Sequence, residues 1–195
     1  MNRAHGLLCS SKWWAHSVER KLLPWGLAGM DLGEDVLEVG PGFGATTRVL
    51  ACRPGSLTVV ELSEGYCEHL RRTLDGDAEI VRADATAMPF PDGRFSGVVC
   101  FTMLHHLPSP ELQDKLLTEV ARVLRPGGVF AGTDSIGTGP AFKLLHVGDT
   151  LVPVGPDRLP ARLETAGFEE PRVEKGGRSF RFRARKPRGP GVSPA

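Results

Sequence analysis

Glu38, Gly40, Gly42 and Gly44 follow Val36 and Leu37 in the stretch VLEVGPGFGATT. An apolar strand signal, an acid and three alternating glycines let the chain turn sharply while a ligand approaches bare backbone. The helix signal from Ala45 then presents free N–H groups at the carboxyl end of the strand, where open α/β sheets bind ligands. Glu61, in LTVVELS, lies about 20 residues beyond the turn, where a carboxylate accepts hydrogen bonds from ribose hydroxyls. Together these residues point to an adenosine-containing ligand.

Two patterns overlap on the turn. Read as G-x-G-x-x-A, Gly40, Gly42 and Ala45 fit a dinucleotide fingerprint. Read as E-x-G-x-G-x-G from Glu38, the same letters suit S-adenosylmethionine, whose ammonium needs acceptors that Glu38 could supply or organise. A second group of residues could move protons. His105 and His106, in FTMLHHL, follow a predicted strand at its ligand end, and histidine titrates near neutrality. His16, Asp134 and His146 are further candidates. Adjacent side chains diverge on a strand, and the four cysteines show no C-x-x-C pair, so no metal constellation is predicted.

The elements that must position these residues alternate. Strands are predicted at 36–39, 57–61, 79–82, 97–101 and 129–133, and helices at 45–51, 64–74, 111–124 and 157–166. Such alternation implies a doubly wound α/β fold with a parallel sheet. The stretches 172–174 and 179–184 read instead as strands joined by Lys175-Gly176-Gly177-Arg178, an antiparallel C-terminal hairpin. At the front of the chain, one helix is predicted over 10–28, capped by Ser10 or Ser11 and ended or kinked by Pro24. The Pro- and Gly-rich residues 186–195 read as a flexible tail. The domain reading is one unit over 1–185 with an N-terminal helical cap over 1–31.

Taken together, these motifs resemble the class I S-adenosylmethionine-dependent methyltransferases of the small-molecule type, over roughly residues 32–187. VLEVGPGFG is similar to their first motif, and VVELSEGYCEHLR to the second strand with its ribose acid. VRADATAMPFPDGRFSGVVCFTMLHHL resembles the third and fourth strands, and LRPGGVFAGTDS the fifth. The resemblance implies a Rossmann-like, seven-stranded, mostly parallel sheet. It also implies that Gly40, Pro41 and Gly42 border the methionine and ribose, and that Glu61 holds the ribose hydroxyls. Leu62 would pack on the adenine, Asp84 would accept from its amino group, and the Ala85 N–H would face a ring nitrogen. Phe101 and Thr102 would approach the methionine moiety. The catalytic candidates remain His106, His105 and His16.

The chain has 195 residues, 41% hydrophobic and 24% charged, enough for one full core. A net charge of +1 supplies no bulk field for nucleic acid or anionic membrane. The free cysteines fit a cytoplasmic setting, the apolar run before Cys9 is far shorter than a signal sequence needs, and no membrane span is predicted. The aromatic and aliphatic residues Trp13, Trp14, Phe142, Leu144 and Leu145, with His146, predict a partly apolar small acceptor, and a monomer or homodimer is expected. Three alternatives stay open. Arg178, Arg181, Arg183, Arg185, Lys186 and Arg188 would serve a nucleic-acid methyltransferase, the short lid segments would suit a catalytically silent binding module, and the glycine turn alone permits a dehydrogenase.

Overall fold

The computed structural model describes residues 3–137, 139, 142, 144 and 146–189. Strand β1 (Asp35–Val39) lies inside a seven-stranded sheet, and its last four residues are all buried. A strand covered on both faces carries continuous apolar residues rather than an alternating pattern, as VLEV does apart from Glu38. Strand β1 pairs in parallel with β2 (Ser56–Glu61) and β4 (Phe95–Phe101). Strand β3 (Glu79–Arg82) continues the parallel ladder beyond β2, and β5 (Leu124–Ser135) continues it beyond β4.

The chain then reverses. Strand β7 (Ser179–Arg185) inserts antiparallel between β5 and β6 (Glu169–Gly176), so the order is β3-β2-β1-β4-β5-β7-β6. Gly177, at φ 62°, takes the left-handed position the hairpin turn requires. Phe180, Phe182 and Ala184 point into the core at every second position. The α/β Rossmann-like sheet and its terminal hairpin agree with the sequence.

Four helices cover the sheet: α4 (Thr47–Leu50), α5 (Glu64–Leu74), α6 (Pro110–Val123) and α7 (Leu159–Thr165), numbered after the three N-terminal ones described below. Helix α6 starts where the Ser109 hydroxyl accepts from the Leu112 N–H at 3.3 Å and Pro110 occupies the first turn. Its buried Leu116, Leu117, Val120 and Val123 form one face against Val98, Phe130 and Leu163. The opposite sheet face buries Val59 and Val99 against Leu70 of α5 and against Val18 and Leu23 from the N-terminal segment.

That segment follows the predicted helix over most of its range: helical backbone runs unbroken from Lys12 to Gly26 as α2 (Lys12–Ser17), a π turn (Val18–Leu22) and α3 (Leu23–Gly26), and a separate α1 (Arg3–Cys9) precedes it. Ser11 is extended, and its hydroxyl accepts from the Trp14 N–H at 3.1 Å, so it caps this helix as the sequence predicts. Pro24 falls in the first turn of α3, where its missing N–H is not needed, and the irregularity is taken up upstream by the π turn. Lys186, predicted to open the tail, is held by its ammonium on the Leu124 carbonyl at 2.7 Å and by its N–H on the Gly128 carbonyl at 2.9 Å. Residues 190–195 of that predicted tail lie outside the described residues.

Candidate active site

A cleft of about 900 Å³ opens at the carboxyl ends of β1, β2 and β4, where the strand order reverses. The glycine turn forms its floor. Gly40, Gly42 and Gly44 have φ of 63°, 57° and 74°, a region that glycine enters without strain. A Cβ on Gly40 would lie 2.5 Å from Met103 Cγ, and one on Gly44 2.5 Å from Leu70 Cδ2, whereas one on Gly42 would project into open space. Two of the glycines therefore let the turn pack, and Gly42 presents bare backbone to the cleft. Gly40, Pro41 and Gly42 all line the cleft.

Glu38 does not line it. Its side chain is 1% exposed beneath the turn, where Oε1 accepts from the Thr46 hydroxyl. Thr46 does line the cleft, so Glu38 organises the turn rather than meeting a ligand directly. Burial pushes its carboxyl up to about 7, against the lowering effect of the Thr46 hydrogen bond.

Glu61 lines the cleft from the end of β2. Its Oε2 accepts from the Gly42 N–H at 3.2 Å and its Oε1 from the Ser63 N–H at 2.9 Å. Leu62, 66% exposed, borders the same cleft, a position for an apolar side chain that a flat aromatic ligand would cover. Asp84 and Ala85 follow β3. Asp84 Oδ1 accepts from the Thr86 N–H at 2.8 Å, which holds the loop turned toward the cleft. Helix α6 fixes the loop further. Glu119 accepts from the Met88 N–H at 2.8 Å, and Arg122 donates to the Met88 and Phe90 carbonyls at 2.9 and 2.7 Å.

Phe101, 5% exposed, lines the cleft at the end of β4 while its ring approaches Gly26 of α3. Thr102 has φ 51°, a strained value for a β-branched residue, and its N–H donates to the Thr133 carbonyl at 2.8 Å. This turn directs the next residues into the cleft. Met103, against Gly40, is a lining residue that the sequence reading missed; its only signal was its place between Thr102 and the histidines.

His105 and His106 occupy a 3-10 turn (Leu104–His106), not a strand. Their rings therefore lie side by side, with centroids 4.2 Å apart, instead of diverging as predicted. Gln113 clamps the turn by donating to the Leu104 and Val152 carbonyls at 3.1 and 2.9 Å. Asp134, fully buried on β5, accepts from the His105 N–H at 3.2 Å and the Ser135 N–H at 2.6 Å, and its Oδ1 lies 2.5 Å from His105 Nδ1. His146 joins from the segment after β5, its ring 5.3 Å from that of His105 and 5.4 Å from that of His106. His16 is exposed on α2 and is not brought to the cleft.

Trp13, Trp14, Leu8, Val18 and Leu22 wall the cleft from the N-terminal helices, and Phe142 walls it from the other side. Trp14 also packs on the core while Trp13 stays 69% exposed, so both tryptophans reach the cleft and one does double duty. Burial pushes the Cys9 thiol up to about 11, which keeps this lining residue a neutral thiol rather than a nucleophilic thiolate.

Residues 36–128 match the family model described as "Methyltransferase domain". By this match residues 36–128 form a methyltransferase domain. Over 106 residues, 53% of this chain, it is 43% identical to the fatty-acid O-methyltransferase of Mycolicibacterium smegmatis, of which it covers 38%. Over 98 residues, 49% of this chain, it is 39% identical to the demethylmenaquinone methyltransferase of Clavibacter sepedonicus, of which it covers 39%. The chain thus spans about two fifths of the length of these relatives. A solved structure from Thermotoga maritima, titled a SAM-dependent methyltransferase and possible histamine N-methyltransferase, shares the fold at a TM-score of 0.73. Its identity to this chain is 18%, with coverage of 89% of this chain and 92% of its own.

The glycine turn, Glu61 and the loop of Asp84, which border one side of the cleft, all fall within residues 36–128. The N-terminal helices and the stretch after β5, which bring Trp13, Trp14 and Phe142 to the cleft, lie outside that match. One of the C-terminal arginines is engaged within the fold. Arg181 donates to the Trp25 carbonyl at 2.8 Å and to Glu174, with its guanidinium 5.8 Å from the Trp25 ring, so it docks α3 on the hairpin.

Proposed function

We propose that this protein transfers a methyl group from S-adenosylmethionine to a small acceptor with an apolar body. The observation that carries the reading is one continuous cleft with two unlike halves. Gly42, Glu61, Leu62, Asp84 and Ala85 border one side, and Trp13, Trp14, Phe142, His105 and His106 border the other. Its volume of about 900 Å³ lies near the upper end of ligand sites, room for donor and acceptor together.

The donor supplies an electrophilic methyl on sulfur. The acceptor's electron pair forms the new bond to that carbon as the carbon–sulfur bond breaks, and the pair from the broken bond stays on sulfur as a neutral thioether. An in-line displacement gains most from holding the two reactants at attack distance. In this reading Gly42 gives its backbone to the donor, Glu61 accepts from the ribose hydroxyls, and Asp84 with the Ala85 N–H reads the adenine edge. Phe101 and Thr102 border the methionine moiety. His105 and His106 bring basic nitrogens to the acceptor half, where a hydroxyl or protonated amine must give up a proton.

Relatives named for a fatty acid and for demethylmenaquinone support an acceptor with a long apolar portion, which the tryptophan-lined wall suits. Incubation with methyl-labelled S-adenosylmethionine and a panel of fatty acids, quinols and small phenols tests the reading. Labelled product from at least one acceptor is expected. Binding of the cofactor with no transfer across the panel would favour the silent binding module instead.

A further inference from the structure

His105, His106 and His146 bring one ring nitrogen each to within 4.8 Å of the others, and His105 and His106 line the cleft. Two of the three rings are oriented by acceptors on their far side. Asp134 accepts from the His105 and Ser135 backbone N–H groups, so the Nδ1 of His105 donates to it, and in the imidazole form that binds a metal the lone pair lies on Nε2. His146 Nδ1 lies 2.7 Å from the Phe142 carbonyl, which only accepts, so its lone pair also falls on Nε2. The Nε2 of His105 is buried, in a side chain 3% exposed, with no hydrogen-bond partner among the described residues. A buried polar atom left so is costly unless something else engages it. A histidine whose second nitrogen is held by a carboxylate or backbone carbonyl is the arrangement metal-binding imidazoles adopt.

We propose that His105, His106 and His146 bind a divalent transition-metal ion of the zinc type, with Asp134 and the Phe142 carbonyl orienting two of the ligands. Zinc–nitrogen bonds of about 2.0–2.1 Å place tetrahedral ligands roughly 3.4 Å apart, so the triangle closes with ring movements of about an ångström. Three protein ligands leave a fourth position, and because His105 and His106 line the cleft that position faces the acceptor half. The site stands on the histidines alone. Its use rests on the proposed methyl transfer: a metal there would lower the pKa of an acceptor's hydroxyl or thiol, and the histidines would act through the ion rather than as free bases.

The test uses the full chain, stripped with a chelator and titrated with Zn²⁺, and separately with Co²⁺ as a spectroscopic probe. One equivalent of Zn²⁺ is expected to bind, and Co²⁺ to give the intense visible absorption of a tetrahedral site. His105→Ala and His146→Ala should abolish both signals, Asp134→Asn should weaken binding by about 10- to 100-fold, and His69→Ala should leave it unchanged. Thermal melts of the metal-free variants establish that they fold, and wild type should gain melting temperature with Zn²⁺ where His146→Ala does not. Absence of binding to folded wild type, or binding that survives His105→Ala combined with His146→Ala, would overturn the site. Calorimetry with S-adenosylhomocysteine on the same samples separates the claims: cofactor binding without metal binding refutes the metal site alone.

Discussion

The backbone N–H of Gly42 donates to the Glu61 carboxylate at 3.2 Å, tying the turn after β1 to the end of β2. One side chain thus holds the turn and faces the ligand space beside it. Glu61→Ala should weaken S-adenosylmethionine binding by about 1–3 kcal/mol, the range for hydrogen bonds that involve a charged group. Calorimetry on a variant whose melt shows it folded checks this, and unchanged affinity would refute the assignment.

Asp84 uses Oδ1 to hold the Thr86 N–H, so Asp84→Asn keeps an oxygen for that turn while losing the charge. Affinity for the cofactor should fall by up to about 2 kcal/mol, with melting temperature little changed. A large drop in melting temperature without a change in affinity would make Asp84 a loop cap only.

Gly40 combines a φ of 63° with a Met103 side chain 2.5 Å from where a Cβ would stand. Gly40→Ala should lower stability by roughly 1–3 kcal/mol through strain and overpacking. Shortening the neighbour in Gly40→Ala/Met103→Ala should recover the steric part and leave the backbone part. Chemical denaturation of the two variants reads the difference.

Burial holds the Glu38 carboxyl up to about 7, above its ordinary value of 4.5. The folded state then keeps a proton that the unfolded chain releases, so stability falls as pH rises from about 4.5 to 7 and levels off above. The loss across that window should be roughly 3 kcal/mol. Glu38→Gln retains an acceptor for the Thr46 hydroxyl but cannot ionise, and should flatten this part of the profile in urea unfolding measured from pH 4 to 8.

Much of this site is legible in the sequence because it is local. The turn, Glu61 and Asp84 each sit where a strand ends, and a strand's end can be read from a few letters. The C-terminal hairpin was equally open, since Lys175-Gly176-Gly177-Arg178 names its own turn. The acceptor half was not. His105, Asp134 and His146 were each visible as candidates, yet their meeting depends on β4 lying beside β5 and on the segment after β5 folding back. The adjacency of His105 and His106 misled because divergence holds for a strand, whereas the 3-10 turn brings the two rings together, tilted by 38°. At the front of the chain the Ser11 cap was open to reading, whereas the short α1 before it and the π turn after it were not.

The central claim is that this cleft holds a methyl donor beside its acceptor. The most direct measurement is calorimetric titration of the full chain with S-adenosylhomocysteine, run in parallel with NAD. The account predicts one equivalent of S-adenosylhomocysteine bound, weakened about 5- to 150-fold by Glu61→Ala, and no tight binding of NAD. Tight binding of NAD with no binding of S-adenosylhomocysteine would contradict it.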